Sequence, residues 1–299
     1  MSDDIRFEEE EFTSQFNGGT VVRIMGWVRP HWKWVLGFMI SIGIVSVIEA
    51  YFRVVTMNMI DDALIPRDGD RLRELLIELG ILHILLVIFV FAFIYLCGVL
   101  GQRVMYDMRK GMFEHMQRLS FSYFDKTPVG WLMSRVTSDS ERIADLVTWG
   151  MLDVTWAVLN VCTALFFMFT INWQLTLVVM VMLPILLYVA VWFKQRILVE
   201  FRESRRINSK ITGTYNENIT GVRIVKSHRR EEANLQEFDG LTGKMYRSSF
   251  RAAWLSALFL PMVQIISAFA VAAVVWYGGL QAGSAITIGG IQAFVSYII

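Results

Sequence analysis

Val154 to Phe193 reads VTWAVLNVCTALFFMFTINWQLTLVVMVMLPILLYVAVWF, forty residues without one Asp, Glu, Lys or Arg. A membrane-crossing helix needs about 20 apolar residues. The run therefore has room for two, and Ile171-Asn172-Trp173 near its middle is where they part. Leu79 to Gln102 and Ala252 to Ile299 are also free of charge. The last run holds one full span, a turn at Gly278-Gly279-Leu280-Gln281-Ala282-Gly283, and the opening of another span near Ile288. Across the 299 residues 55% are hydrophobic and 18% charged, against about 45–50% and about 25% in ordinary soluble domains. A soluble globular domain and a disordered chain are both excluded.

The expected fold class is an all-α membrane protein with six transmembrane helices. Spans are expected at about 34–60, 75–101, 149–170, 173–195 and 252–277, with a sixth at 287–299 that is truncated. The first ends in Asp61-Asp62-Ala63-Leu64-Ile65-Pro66, where two acids and a proline fit a helix exit. Residues 1–19 form an acidic tail, carrying Asp3, Asp4 and Glu8 to Glu11, with none of the apolar character of a cleaved signal peptide. Residues 20–33 are amphipathic and run up to Trp32 and Trp34, as a helix lying along the membrane surface would.

Orientation follows from the basic residues. Arg103, Arg109, Lys110, Arg118, Lys126, Arg135 and Arg142 fall in one loop, and thirteen of the remaining basic residues lie between Lys194 and Arg251. Both loops are expected to be cytoplasmic, and so is the N-terminus. Trp149, Trp192 and Trp254 then mark the inner interface, with Trp173 and Trp276 at the outer one. The cytoplasmic stretches, about 102–148 and 196–251, contain few helix breakers. Val104, Met108, Met112, Met116 and Leu119 recur at helical spacing, as do Ile207, Ile211, Tyr215, Ile219 and Val222. The membrane helices are thus expected to continue outward as two helical hairpins. A helix from Leu75 to Leu119 would be roughly 65 Å long, of which the bilayer core accounts for about 30 Å.

Each hairpin needs a tip. The first is Phe121-Ser122-Tyr123-Phe124-Asp125-Lys126-Thr127-Pro128-Val129-Gly130, where Pro128 and Gly130 break the helix. The second is expected near Thr212 to Gly221. Around the first, Phe124, Asp125, Gly130, Leu132, Ser134, Arg135 and Asp139 form a pattern that resembles the intracellular-loop signature of ATP-binding-cassette exporters of the multidrug-resistance type. Glu217, Gly221, Val225 and Lys226, followed by Glu232 and Phe238, resemble the same family's second loop. Trp173-x-Leu175-Thr176-Leu177 with Pro184, and Thr287-Ile288-Gly289 through Ala293-Phe294, resemble its fourth and sixth helices. The likeness covers about residues 20–299, with the motifs in the family's order.

The resemblance implies a six-helix half that pairs with a second half, identical or not. It implies that Tyr123, Phe124 and Asp125, with Thr214, Tyr215 and Asn216, dock on a nucleotide-binding domain. ATP and Mg²⁺ would be bound by that domain, the transmembrane half would alternate access, and the cargo would be a hydrophobic or amphipathic small molecule, lipid or peptide. The expected location is a multi-pass position in a bacterial inner membrane, among membrane lipids, with no nucleic-acid partner. Within these residues there is no phosphate-binding loop: Thr242-Gly243-Lys244-Met245 lacks the upstream Gly and the Ser or Thr that holds Mg²⁺. On that resemblance, ATP hydrolysis is expected in a domain outside the 299 residues.

Glu49 and Arg53 sit four residues apart in the first span. Each charge costs about 2.5–3.5 kcal/mol at the bilayer centre, so the two are expected to face protein or a wet cavity, as part of a substrate path or as a lock between helices. His83 and Glu78, Asp153, Asn160 and Gln264 are further residues that could line such a path. Cys97 and Cys162 lie in apolar runs and read as small buried residues, and the scattered histidines show no metal spacing. Two readings from other classes stay open: an ion-gradient-driven secondary transporter using Glu49, His83 or Asp153 as a relay, and a non-transporting membrane scaffold.

Overall fold

The computed structural model describes residues 18–298 apart from Ser284. The acidic tail expected at 1–19 lies, but for its last two residues, outside the described residues. The described fold is helical, without strands. It comprises α1 (Gly18–Val28), α2 (Trp32–Asn58), α3 (Gly69–Gln117), α4 (Phe121–Lys126), α5 (Val129–Ser134), α6 (Ser140–Ile171), α7 (Trp173–Thr220), α8 (Val222–Ser227), α9 (Glu231–Gln281) and α10 (Ile288–Ile298). Short π-helical turns follow α2 at Met59–Leu64 and α5 at Arg135–Asp139. Five helical stretches among the described residues are long and apolar enough to cross a membrane, and α10 is a shorter apolar helix. The 49 residues of α3 give a rod of about 74 Å, more than twice the hydrocarbon thickness.

The chain divides into two compact units, Met1–Val55 with Gly69–Ala164, and Thr56–Asp68 with Leu165–Ile299. In the first, a 3₁₀ turn at Arg29–His31 joins α1 to α2, with Pro30 in the opening turn, where its missing N–H costs nothing. The face of α3 that packs is built from Cys97, Leu100, Val104 and Met108, three and four residues apart. These side chains meet Val28, Phe38, Ile42 and Val147 in two adjoining clusters. Lipid is as apolar as leucine, so inside the membrane close backbone approach holds helices together more than apolar burial does. Gly101 supplies such an approach: a Cβ there would meet Thr148 Oγ1 at 2.5 Å. Gly111 does the same for Trp27, whose ring would lie 2.8 Å from that Cβ, so α1 is seated on α3.

In the second unit α7 and α9 run antiparallel along most of their length. Gln281 donates to Gln174 at 2.6 Å, Phe193 meets Phe259 at 5.7 Å between ring centroids, Ser204 and Ser249 share a hydrogen bond of 2.9 Å, and Tyr215 meets Phe238 at 4.9 Å. The boundary between α6 and α7 is chemical. Asn172 is extended (φ −157°, ψ 112°), and its Oδ1 accepts the N–H groups of Gln174 and Leu175. Two orphan donors of the new helix are thereby satisfied. Its Nδ2 reaches Gln281 Oε1 at 3.4 Å and the Ala285 carbonyl at 3.3 Å. Beside it Met168, Leu175, Val179, Val274, Ile286 and Phe294 form the core of this unit.

Two expectations need correction. The second hairpin turns later than the sequence suggests. Residues 212–220 stay helical at the end of α7, and the turn spans Gly221 to Arg230 around α8. Gly213 costs only about 1 kcal/mol in a helix, and α9 supplies packing to Tyr215 and Asn218 that carries the helix past it. Cys97 is buried, but Cys162 is exposed. A charge-free helix is apolar on every side, so its composition does not say which face is covered.

Candidate functional site

The first tip is a pair of one-and-a-half-turn helices. Thr127 is extended (φ −115°, ψ 122°), as the residue before a proline prefers, and it separates α4 from α5. The tip bares apolar surface: Phe121 is 90% exposed, and Phe124, Val129 and Trp131 are also exposed. Tyr123 is half-buried and packs edge-on to Phe124, with Asp125 exposed beside them. Apolar side chains are thus gathered on the end of a polar hairpin, an exposed patch of the kind that interaction sites use.

The motif residues beyond the tip stabilise it rather than extend it. Arg135 donates to Asp139 at 2.6 Å and lies 4.6 Å over the Trp131 ring. Ser134 closes α5 and is exposed. A Cβ at Gly130 would meet nothing within 4 Å, so packing within this chain does not demand glycine there.

Arg109, which sequence reasoning counted only as a charge, ties the tip to the shaft. Its Nε donates to Ser140 Oγ at 3.2 Å and its Nη2 to the Thr137 carbonyl at 3.2 Å. The π turn at Arg135–Asp139 leaves carbonyls for side chains to use, and fully buried Ser140 donates to Val136 and Thr137. A π turn seldom declares itself in sequence, and no signal would have singled out Arg109.

At the second tip Thr214, Tyr215 and Asn216 occupy the last two turns of α7 rather than the bend. Tyr215 leans on Phe238, and Asn218 links the two helices of the hairpin by accepting from Asn234 at 2.6 Å. Together with Val222, Val225 and Leu235 they line a hollow of about 310 Å³. Glu217 is exposed, and its carbonyl accepts the Gly221 N–H at 2.8 Å. A Cβ on Gly221 would come 2.8 Å from that same carbonyl oxygen, so this motif glycine is required by the bend itself. Lys226 is exposed on α8.

The polar residues within the spans are dispersed. Arg53 Nη1 donates to the backbone carbonyl of Glu49 at 2.7 Å, and both residues are half-buried. His83 is exposed, bonded to the Leu79 carbonyl at 2.8 Å and stacked on Phe52 at 4.4 Å. Glu78 accepts from Tyr51 at 2.9 Å. Asn160 Nδ2 reaches the Trp156 carbonyl at 3.2 Å and buried Ser46 at 3.5 Å. Asp153 and Gln264 are exposed. A hydrogen bond joins Arg53 to Glu49 through the Glu49 backbone. Thr242 to Met245 lie inside α9, where backbone N–H groups are engaged in the helix. They do not form the open cradle that nucleotide phosphates need.

Comparison with known proteins gives the family. A family model described as "ABC transporter transmembrane region" matches residues 34–299. An uncharacterised ABC transporter ATP-binding protein of Bacillus subtilis, YknV, is 28% identical over 97% of this chain and 48% of its own length. An ATP-dependent lipid A-core flippase of Syntrophus aciditrophicus is 24% identical over 87% of this chain and 43% of its own. A probable multidrug resistance ABC transporter ATP-binding/permease protein of Bacillus subtilis, YheH, is 30% identical over 68% of this chain and 31% of its own. The chain spans about half the length of the first curated relatives it matches.

Proposed function

This chain belongs to the ABC transporter transmembrane region family and is an integral, multi-pass membrane protein; on that premise we propose that it is the transmembrane half of an ATP-driven exporter. It forms the substrate path and pairs with a second half. Each hairpin tip docks on a nucleotide-binding domain, which holds ATP and Mg²⁺, the second tip on the domain of the partner half. The bare apolar tip at Phe121, Phe124 and Trp131 carries this reading. A hairpin end that served only as a solvated turn would not gather aromatic side chains. Phe124 and Asp125 would contact the docked domain, and Arg109 and the π turn would pass its motion to α3 and α6. At the second tip the docking surface would centre on α8 and the hollow beside Tyr215. Thr214 and Asn216 would support it from the side.

The cargo class is a hydrophobic or amphipathic molecule, in keeping with relatives that include a lipid A-core flippase. The two basic hairpins support a cytoplasmic N-terminus, and the bacterial relatives support an inner-membrane location. The test uses the full-length protein in proteoliposomes. ATP-dependent movement of a fluorescent lipid or dye is expected in the wild type. Phe124→Ala with Asp125→Ala should abolish it while leaving membrane insertion intact. Transport that proceeds under a proton gradient without ATP would overturn the proposal.

A further inference from the structure

Between α7 and α9, on the shaft rather than the tip, lies a groove of about 720 Å³. Five cations line it, Arg202, Arg206, Lys244, Arg247 and Arg251, against two acids, Glu200 and Glu203. Arg206 bonds Glu203 at 2.7 Å, and Arg251 stands 3.9 Å from Glu200. Among the described residues Arg202, Lys244 and Arg247 have no carboxylate within ion-pairing distance. Arg202 on α7 and Lys244 and Arg247 on α9 line the same groove, so their like charges repel, and an anion between them relieves that repulsion. The hydrogen bond from Arg206, with smaller contributions from the charges of Lys210 and Lys244, holds the Glu203 carboxyl below its ordinary range.

The groove also has a definite height. Arg251 is followed at once by Ala252, where the charge-free run of α9 begins, and exposed Trp254 lies within one turn. On α7 the lining starts at Val199, six residues past Phe193, or about 9 Å. Phosphate headgroups occupy the zone just outside the hydrocarbon, which adds about 10–15 Å to the bilayer in total. Gly221, where the hairpin turns, is 15 residues beyond Arg206, or about 22 Å farther out. The groove therefore lies at the height of the bilayer surface, well short of the hairpin's turn.

We infer that this groove binds the phosphate headgroup of an anionic phospholipid whose acyl chains remain in the adjoining leaflet. Guanidinium groups match phosphate oxygens in bidentate geometry, and basic pockets beside membrane helices suit such headgroups. The inference needs only the membrane span and not the export reading, so it stands or falls separately.

The test titrates the detergent-purified full-length protein with phosphatidylglycerol or phosphatidylcholine and counts bound lipid by native mass spectrometry. Phosphatidylglycerol is expected to bind at least about tenfold more tightly, given roughly 1 kcal/mol per basic residue near a lipid surface. Arg202→Gln/Lys244→Gln/Arg247→Gln should remove that preference and leave phosphatidylcholine unchanged. Arg202→Lys/Arg247→Lys, which keeps the charge, should retain most of it and guards against a folding defect in the first variant. A charge-matched variant at the second tip, Arg223→Gln/Lys226→Gln/Arg230→Gln, should bind as wild type. Unchanged preference in the groove variant, equal loss in the tip variant, or full displacement by millimolar inorganic phosphate would each overturn the proposal. So would cross-linking of an Arg247→Cys variant to the nucleotide-binding domain, which would make the groove a protein contact.

Discussion

Asp61 and Gly289 are 228 positions apart, and Asp61 Oδ1 accepts the Gly289 backbone N–H at 2.8 Å. The carboxylate sits at the first turn of α10, where N–H groups lack helical partners and the helix dipole favours negative charge. The π turn at Met59–Leu64 brings Asp61 to that place. Gly289 must be small, because a Cβ would meet the Met57 carbonyl at 2.5 Å and Asp61 Oδ2 at 2.6 Å. Gly289→Ala is therefore expected to destabilise the second unit by about 1–3 kcal/mol, and Asp61→Ala by about 1–2 kcal/mol. The double variant should lose less than the sum, since removing the carboxylate removes one of the two clashes. Thermal unfolding of the purified protein in detergent reads all three.

Asn172 holds the break between α6 and α7 with both ends of its amide. Replacing it with alanine should cost about 1–2 kcal/mol, through the lost cap and the lost links to Gln281 and Ala285. Asn172→Asp keeps the two accepted bonds and forfeits the donated ones, so its loss should be visibly smaller. An aspartate variant no better than alanine would show that the cap contributes little.

Gly101 and Thr148 offer a cleaner pair. Gly101→Ala should be strongly destabilising, because the new methyl would lie 2.5 Å from Thr148 Oγ1 and 3.3 Å from its Cγ2. Thr148→Ala deletes both atoms and leaves only the Cβ, which would stand at an ordinary 3.4 Å. The double variant is expected to recover about 1–2 kcal/mol over Gly101→Ala alone. Failure to recover would mean that the helices part by some other contact.

Arg109 should behave as a positioning residue. Arg109→Ala removes the bonds to Ser140 and Thr137 without touching the tip surface. The expected result is normal expression and ATP hydrolysis with transport reduced by about tenfold, equivalent to about 1.4 kcal/mol of lost coupling. Equal loss of hydrolysis and transport would instead point to a docking or folding defect.

Glu203 supplies a pH dependence with a definite sign. Its carboxyl titrates below the ordinary range, chiefly because Arg206 donates to it. A depressed folded-state value means the pair stabilises above the usual glutamate range of about 4.3, and that this is lost as pH falls through the lower folded value. Comparing melting of wild type and Glu203→Gln from pH 7 downward should show a small gap at neutral pH that closes in acid. The gap is small because the pair is exposed to solvent.

The helical architecture was legible because its causes are local. Charge-free runs longer than a bilayer must satisfy their backbone internally, which forces helix. The break at Asn172 and the first tip at Pro128 lie where the sequence places them, since a cap and a proline act on their own neighbours. Phe124 and Asp125 were singled out by the resemblance of their loop to a family signature.

What local chemistry could not reach, the packing decided. The second turn falls at Gly221 because α9 supports α7 beyond Gly213. Cys162 is bare and Cys97 covered although both stand in equally apolar surroundings. Arg53 turns back to the carbonyl of Glu49, Arg109 reaches a π turn, and Asp61 finds Gly289 across 228 residues. Composition and spacing determine that a segment is a helix and where it breaks, since those depend on neighbours within a turn or two. Which face is covered, and by what, depends on close approach between distant segments, and only the tertiary structure sets those distances.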